Sequence, residues 1–275
     1  MVMEFFADWH THTSYSDGRA TPEEMVAAAA RRGLAEVAIT DHGPRGMFIG
    51  VRDAETYLEI KKLAGKLGEK YGVRVLVGAE ANVTGLDGGL DVPREITGEL
   101  DILIAGLHPQ VWCRPLRETL TWILPNQVGR YISRVRDSMR NANTTALVAA
   151  VHKNPLTFVS HPGLMMAVDL DEVARACAAT GCAMEINTGH HYDRDGVVQA
   201  ALRWGARLVV NSDAHFPETV GDLAAGAALL DKYSVPPELV LNAGKTASKA
   251  EVVPGDKQSR VFIPPARTRS NVRLI

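Results

Sequence analysis

Residues 4–42 read "EFFADWHTHTSYSDGRATPEEMVAAAARRGLAEVAITDH", and this stretch holds one complete strand, helix and strand. Aliphatic and aromatic residues dominate its two ends, as is typical of buried strands. The segment 21–33 between them predicts a helix, because Thr21 can act as the N-cap, Pro22 takes the first helical position and Glu24 completes a capping box. The stretch therefore predicts one parallel β/α unit.

The same alternation continues along the chain. Further strand-like runs lie at 73–78, 101–106, 156–160, 182–187 and 207–212, and candidate helices lie at 53–72, 128–151, 169–181 and 195–205. Because strands that alternate with helices form parallel units, the seven strand-like runs predict an α/β fold that closes into a barrel.

Composition limits the classes of protein that fit. With 275 residues, of which 46% are hydrophobic, the chain can bury the core of one α/β barrel. We expect a single barrel domain over residues 1–250 and a C-terminal tail over 251–275, which we interpret as a solvated terminus. A net charge of −2 provides no overall field for nucleic acid, so no long nucleic-acid partner is expected.

The sequence also predicts a cellular compartment. No stretch of 18 uncharged apolar residues indicates a membrane span, and the first ten residues lack the basic region of a signal peptide. Cys113, Cys177 and Cys182 form no C-x-x-C pair and leave one cysteine over in any disulfide scheme. We therefore expect reduced thiols, a cytoplasmic location and no membrane partner, while the oligomeric state is left open.

Residues capable of binding metal follow every predicted strand. They are His10 and His12, Asp41 and His42, Glu80, His108, His161, the histidines of "EINTGHH" after the sixth run, and Asp213 with His215. A single histidine after a strand is usually an ordinary core or loop residue. Here the carboxyl ends of parallel strands bring all of these side chains to one rim, where so many ionisable groups would be costly to bury without metal. The pattern predicts a metal centre.

These motifs carry a resemblance to a known family. "DWHTHTSYSDG" (8–18), "AITDHG" (38–43), "VGAEANVT" (77–84), "AGLHP" (105–109), "VSHPG" (159–163) and "NSDAH" (211–215) resemble the successive motifs of the PHP (polymerase and histidinol phosphatase) family. The chain most resembles the small stand-alone bacterial PHP phosphatases of the YcdX type. The resemblance implies a distorted (β/α)7 barrel, with a trinuclear metal site at the C-terminal rim of its strands.

The resemblance also implies which side chains bind the metals. The three implied ligand groups are His10, His12, Glu80 and Asp213; Glu80, as a bridge, with His108 and His161; and Asp17, His42 and His215. Such mixed nitrogen and carboxylate ligands suit zinc, and also manganese or iron. Asp8 and Asp41 stand beside ligands, and they either orient imidazoles or face away as acids at the edge of the core.

A carboxylate-bridged metal pair suits phosphoester hydrolysis. We expect a metal-bridging hydroxide to attack phosphorus, with Glu80 as the bridge, Asp213 as proton acceptor, and His191 or a metal-bound water as proton donor to the leaving group. Arg194 is expected to bind the phosphate, and His190 shares its loop as a second substrate-binding candidate. The alternative for Arg194 is an ion pair with an adjacent aspartate at the start of a helix.

The segment 109–140 contains Trp112 and Trp122 and is either a lid over the metal rim or a barrel helix with a long entry loop. His152 and Lys153 are expected on the opposite surface. The leading hypothesis is a phosphatase acting on a small phosphomonoester. The alternatives are a phosphodiesterase or nuclease acting on short or cyclic nucleotides and, ranked last, a non-catalytic regulatory module that binds metal.

Overall fold

Seven parallel strands form one sheet in the computed structural model, which describes residues 3–244. The strands are β1 (Ala7–Asp8), β2 (Glu36–Ile39), β3 (Arg74–Asn82), β4 (Ile102–Gly106), β5 (Phe158–Val159), β6 (Ala183–Asn187) and β7 (Arg207–Asn211). Each strand pairs with its neighbours in chain order. The predicted α/β fold, a distorted (β/α)7 barrel, is confirmed. The predicted tail 251–275 lies outside the described residues.

Helices connect the strands. They are α1 (Pro22–Arg31), α2 (Thr56–Tyr71), α3 (Arg94–Thr97), α4 (Leu124–Gly129), α5 (Ser133–Lys153), α6 (Leu170–Thr180), α7 (Arg194–Trp204) and α8 (Ala224–Lys232). The predicted capping box of α1 is present, with the Thr21 side chain accepting from Glu24 N and the Glu24 side chain accepting from Thr21 N. None of the helices within residues 3–244 combines the length and the apolar character needed to cross a membrane.

Two predicted elements differ from the structure. The helix expected over 128–151 is interrupted, because α4 ends at Gly129 and Ile132 adopts an extended backbone conformation (φ −125°, ψ 103°) before α5 begins at Ser133. The strand expected over 4–10 is reduced to Ala7–Asp8. Its last ladder pair with β2 is Asp8 with Val37, and on its other side Trp9 N donates to the side-chain oxygen of Asn211 on β7 (2.9 Å) and not to a backbone carbonyl.

Residues outside the ladders complete the contact between β7 and β1. At the amino-terminal end of the barrel, the Asn242 side chain donates to Ala7 O (2.9 Å) and to Val210 O, and accepts from Val210 N. At the opposite end, His12 N donates to Ala214 O (2.9 Å). The barrel is therefore nearly closed, and its closure fixes the segment that carries the first predicted ligands.

The barrel interior changes from apolar to polar along the strands. A buried cluster fills its lower part, formed by Ala7, Trp9, Ala38, Leu76, Ile102, Ile104, Phe158, Ala183 and Val209. Since side chains alternate along a strand, Glu80 and Asn82 lie on the same face of β3 as Leu76. The polar groups therefore meet above an apolar floor, at the C-terminal rim where parallel barrels carry their functional sites.

Candidate metal centre

Glu80, on β3 and fully buried, lies at the centre of the cluster. Its Oε1 is 2.9 Å from His161 Nε2 and 3.3 Å from His108 Nε2. Its Oε2 is 3.0 Å from His42 Nδ1 and 3.3 Å from His10 Nε2, with His12 Nε2 at 3.5 Å. A single carboxylate therefore faces imidazoles from both of its oxygens, which is the arrangement expected of a bridging ligand.

All of the side chains predicted as metal ligands converge here. Four sets have ligand atoms within 4.8 Å of one another, namely His12, Asp17, His42 and His215; His10, His161 and Asp213; His10, His12 and Glu80; and His42, Glu80 and His108. The division differs from the implied one in three respects. His12 also joins the Asp17 set, His42 replaces His161 beside Glu80 and His108, and Asp213 is grouped with His10 and His161.

A glycine and two residues with positive φ angles allow the side chains of the cluster to lie this close together. A Cβ atom added at Gly106 on β4 would lie 2.6 Å from Ser160 Oγ, 2.7 Å from His108 Cε1 and 2.9 Å from Glu80 Oε1. Only glycine fits at that position. His161 and Asp213 have φ angles of 27° and 54°, which residues with side chains adopt only at a cost and which are found most often at functional sites.

The electrostatics of the cluster are strongly coupled. Burial raises the pKa of Glu80, but the surrounding imidazoles, above all His10 and His42, lower it well below its usual range. Burial lowers the pKa of His42, but the carboxylates of Glu80 and Asp17 raise it to about 9. Burial and the neighbouring His42 lower the pKa of His12 to about 3. The centre therefore mixes charged and neutral imidazoles around ionised carboxylates.

The donor set fits divalent metal ions. Buried side-chain atoms without a hydrogen-bond partner are rare in proteins, yet several occur together here: His12 Nδ1, His42 Nδ1, Glu80 Oε2, His108 Nε2 and Asp213 Oδ1. Each is an imidazole nitrogen or a carboxylate oxygen, which are the ligand types of zinc, manganese and iron. A metal ion would supply the partner that each of these atoms lacks.

Sequence reasoning missed the residues that orient these ligands. Glu185 on β6 accepts from His10 Nδ1 (2.7 Å) and from His161 N (2.7 Å). Asn82 Oδ1 lies 2.7 Å from His108 Nδ1, and Asn82 is itself held by buried Asp91. An ionisable residue within an otherwise apolar predicted strand, at 182–187, was the available signal for Glu185.

Asp8 and Asp41 do not contact imidazole side chains. Asp8 accepts from the hydroxyl and backbone N–H of Ser212 and from Gly221 N. Asp41 accepts from Thr13 N (2.7 Å) and from the hydroxyls of Thr13 and Ser16. Neither acid forms a hydrogen bond to an imidazole; both are buried and hold the loops that carry the ligands, a role that the sequence pattern did not predict.

The loop after β6 brings only part of its predicted residues to the cluster. His190 Nε2 lies 3.2 Å from Asp213 Oδ2, whereas His191 is exposed. Arg194 begins α7 half-buried, and its Nη1 lies 3.5 Å from Asn187 O. Asp193 caps α7 and Asp195 pairs with a lysine, so within residues 3–244 neither aspartate forms the predicted alternative ion pair with Arg194.

The segment 109–140 begins at the rim. A β-bridge between Gly46 and Val111 joins it to the loop that follows His42, and its next residues form a π-helical turn over Thr119–Ile123. Its role as a lid stays a prediction. His152 and Lys153 end α5 on the surface, as expected, outside the cluster.

The match to known proteins agrees with this geometry. The family model described as the PHP domain matches residues 8–189. The chain belongs to this family. The resemblance stated from the motifs is thereby confirmed, and the PHP domain spans the segment from the first histidine pair to the loop after β6.

Curated relatives match over most of the PHP chain. It is 30% identical over 250 residues to the probable phosphatase of Acetivibrio thermocellus, covering 87% of this chain and 92% of that protein. It is 32% identical over 254 residues to the probable phosphatase of Caldanaerobacter subterraneus, covering 88% and 89%. A crystal structure of histidinol phosphate phosphatase from Lactococcus lactis, complexed with zinc, L-histidinol and phosphate, has a TM-score of 0.55 at 17% identity, covering 82% of this chain and 92% of that one. At this identity the likeness shows the shared fold.

Proposed function

We propose that this PHP chain is a metal-dependent phosphatase that hydrolyses a small phosphomonoester. The observation that carries the proposal is Glu80, whose two buried oxygens face five imidazoles, with unpartnered ligand atoms on both sides. Family membership and the names of the curated relatives support the same activity. The solved Lactococcus lactis structure supports a small phosphorylated substrate, since it contains histidinol and phosphate.

We assign three divalent ions to the cluster, with zinc preferred and manganese or iron as alternatives. The side chains that would hold them are His10, His12, Asp17, His42, Glu80, His108, His161, Asp213 and His215, all of which lie in the cluster. Bound divalent ions supply a nucleophile at neutral pH and neutralise the charge that develops on the phosphoryl oxygens.

Side chains of the protein would accept and donate the protons of the reaction. Asp213 is the proposed acceptor of a proton from an attacking water, since it lies within the cluster and beside the half-exposed His190, whose Nε2 is 3.2 Å from Asp213 Oδ2. His190 has a half-exposed side chain beside Asp213 and is better placed than His191 to protonate the leaving alkoxide. The hydrolysis rate of phosphomonoesters with poor leaving groups should therefore depend more on His190 than on His191.

Arg194 is proposed to bind the phosphate. Its guanidinium is half-buried at the start of α7, and its one hydrogen bond within the described residues, at 3.5 Å to Asn187 O, leaves other N–H groups for a ligand. Arg194→Ala should raise KM for a phosphomonoester with normal metal content. Arg203→Ala, which removes an exposed arginine paired with Asp171, is the matched control. Unchanged kinetics in Arg194→Ala would remove Arg194 from the substrate site.

The activity is tested by measuring phosphate release from phosphomonoesters and from cyclic and linear diesters, with metal-loaded protein and with Glu80→Gln. We expect turnover of at least one monoester by the wild-type chain and none by the variant. Hydrolysis confined to diesters would replace the phosphatase by a phosphodiesterase. If protein that carries its metals hydrolyses none of these substrates, the chain would instead be a regulatory module that binds metal.

A further inference from the structure

Large apolar side chains are exposed along one short segment of the surface. We call it the apolar face and define it by Trp112, Leu116, Leu120, Leu124, Val128 and Tyr131, whose exposed fractions run from 40% to 85%. The other exposed large apolar residues outside this segment and its immediate neighbours, such as Leu63, Leu202 and Phe216, lie on separate elements. Scattered single residues of that kind are ordinary, but a row of them is not.

The apolar face is continuous. Residues 117–129 are helical through the π-helical turn and α4, so side chains four positions apart, from Leu116 to Val128, fall along one stripe. Gln127 hydrogen-bonds to Pro109 O, and Cys113 N donates to Thr119 Oγ1 (2.9 Å), so the Trp112 loop packs against the same helix. One helix, the loop before it and the turn after it, which holds Tyr131, therefore build the apolar face.

The opposite side of this helix is already buried. Trp122 donates from Nε1 to Asn143 Oδ1 on α5 (2.7 Å), and Asn126 donates to the same oxygen (2.9 Å). Trp122 and Ile123 are almost fully buried there. The helix is thus apolar on both sides, which is typical of a helix buried between two layers and not of one that borders solvent.

The size of the exposed surface suits a protein partner. From their exposed fractions, the six side chains present on the order of 700 Å², above the roughly 300–600 Å² of the largest patch on an ordinary monomer and near the roughly 800 Å² per partner of a standard interface. Phe48, fully exposed on the loop joined to Trp112 by the Trp112 N to Arg45 O bond (3.0 Å), extends it further.

We propose that two copies of this chain associate through the apolar face, with the helix 117–129 of one copy against the same helix of the other. A row of side chains four residues apart is the ridge that packs into the groove of a second helix. The stripe itself carries no charge, and the neighbouring Arg114, Arg117 and Arg130 are exposed beside it. Their charged ends can stay in solvent at the rim while the stripes meet.

The proposal is tested by sedimentation equilibrium of the full chain over a range of concentrations, with metal content and circular dichroism measured on the same samples. We expect the mass of two chains. The double variant Leu120→Glu/Leu124→Glu should raise the dissociation constant by roughly a hundredfold or more, because unpaired carboxylates would be buried in the contact. The matched control, Leu63→Glu/Leu202→Glu, changes exposed leucines on α2 and α7 and should leave the assembly intact.

Several results would overturn the proposal. A monomer at every concentration, or a dimer that the double variant leaves unchanged, would show that this surface does not join two copies. Salt-sensitive binding of a monomeric protein to anionic lipid vesicles, lost in the double variant, would assign the surface to an acidic membrane. Because mass and metal content are measured without turnover, failure here is independent of the proposed phosphatase activity.

Discussion

Glu185→Gln tests how much of the metal centre depends on residues that do not bind the metals. Glu185 Oε1 accepts from His10 Nδ1 (2.7 Å) and Asn211 Nδ2 (3.0 Å), and Oε2 accepts from His161 N (2.7 Å) and Asn187 Nδ2 (3.3 Å). Glutamine has nearly the same shape, but one of these oxygens becomes an NH₂ group that faces two donors. The variant therefore removes the acceptor of either His10 Nδ1 or His161 N, according to which oxygen is replaced, without creating a cavity.

The expected loss follows from the bond to His10. That bond directs His10 Nε2 toward Glu80 Oε2, at 3.3 Å, and Asp213 Oδ1, at 3.5 Å. Removing the partner of a ligand histidine costs about 10- to 100-fold in metal affinity. That range corresponds to about 1.4–2.7 kcal/mol of binding free energy. We expect the lower end if the amide keeps its oxygen toward His10, and the upper end if its NH₂ group faces His10.

The assay is a titration of metal-stripped protein with zinc in the presence of a competing chelator. Glu69→Gln makes the same chemical change at an exposed position on α2 and should bind zinc as the wild type does. A zinc affinity of Glu185→Gln within twofold of the wild type would refute the reasoning, since the bond from His10 to Glu185 would then contribute nothing to the orientation of the ligand.

Three further outcomes are expected. Gly106→Ala should lower metal occupancy, measured by elemental analysis, because its methyl group would meet Ser160, His108 and Glu80. Gly98→Ala, whose nearest contact is at 3.4 Å, should not lower it. Equal metal occupancy in both variants would contradict this expectation. Thr21→Ala should lower the free energy of unfolding by about 1 kcal/mol in a urea titration of metal-loaded protein, because the capping box is lost, and an unchanged midpoint would argue against it. Lowering the pH below about 9 should weaken metal binding progressively, because imidazole ligands must be neutral and the carboxylates of Glu80 and Asp17 raise the pKa of His42 to about 9; pH-independent zinc affinity between pH 5 and 8 would be inconsistent with a histidine-rich site.

Sequence patterns were sufficient for the architecture because the signals are local. Alternating strands and helices predict the parallel barrel, and the motif around Thr21 predicts the start of α1 to the residue. The histidines and acids after each strand could be gathered at one rim, because parallel strands place all of their carboxyl ends there. Their convergence on Glu80 follows from the same geometry.

Other features depend on contacts between distant segments. Glu185 contacts His10 across 175 positions of the chain, and no local pattern indicates that pairing. Gly106 is required by the side chains of β3 and β5 that crowd around it. The break between α4 and α5 lies at Ile132, whose extended backbone conformation (φ −125°, ψ 103°) is not indicated by the helical pattern of 128–151.

The central claim is that phosphate release depends on metals held around Glu80. The most direct measurement is phosphate release from a phosphomonoester while zinc or manganese is added stepwise to metal-stripped protein. We expect no turnover without metal, a rise that ends near three equivalents per chain, and no rise for Glu80→Gln. Equal turnover by stripped protein, or by Glu80→Gln, would contradict it.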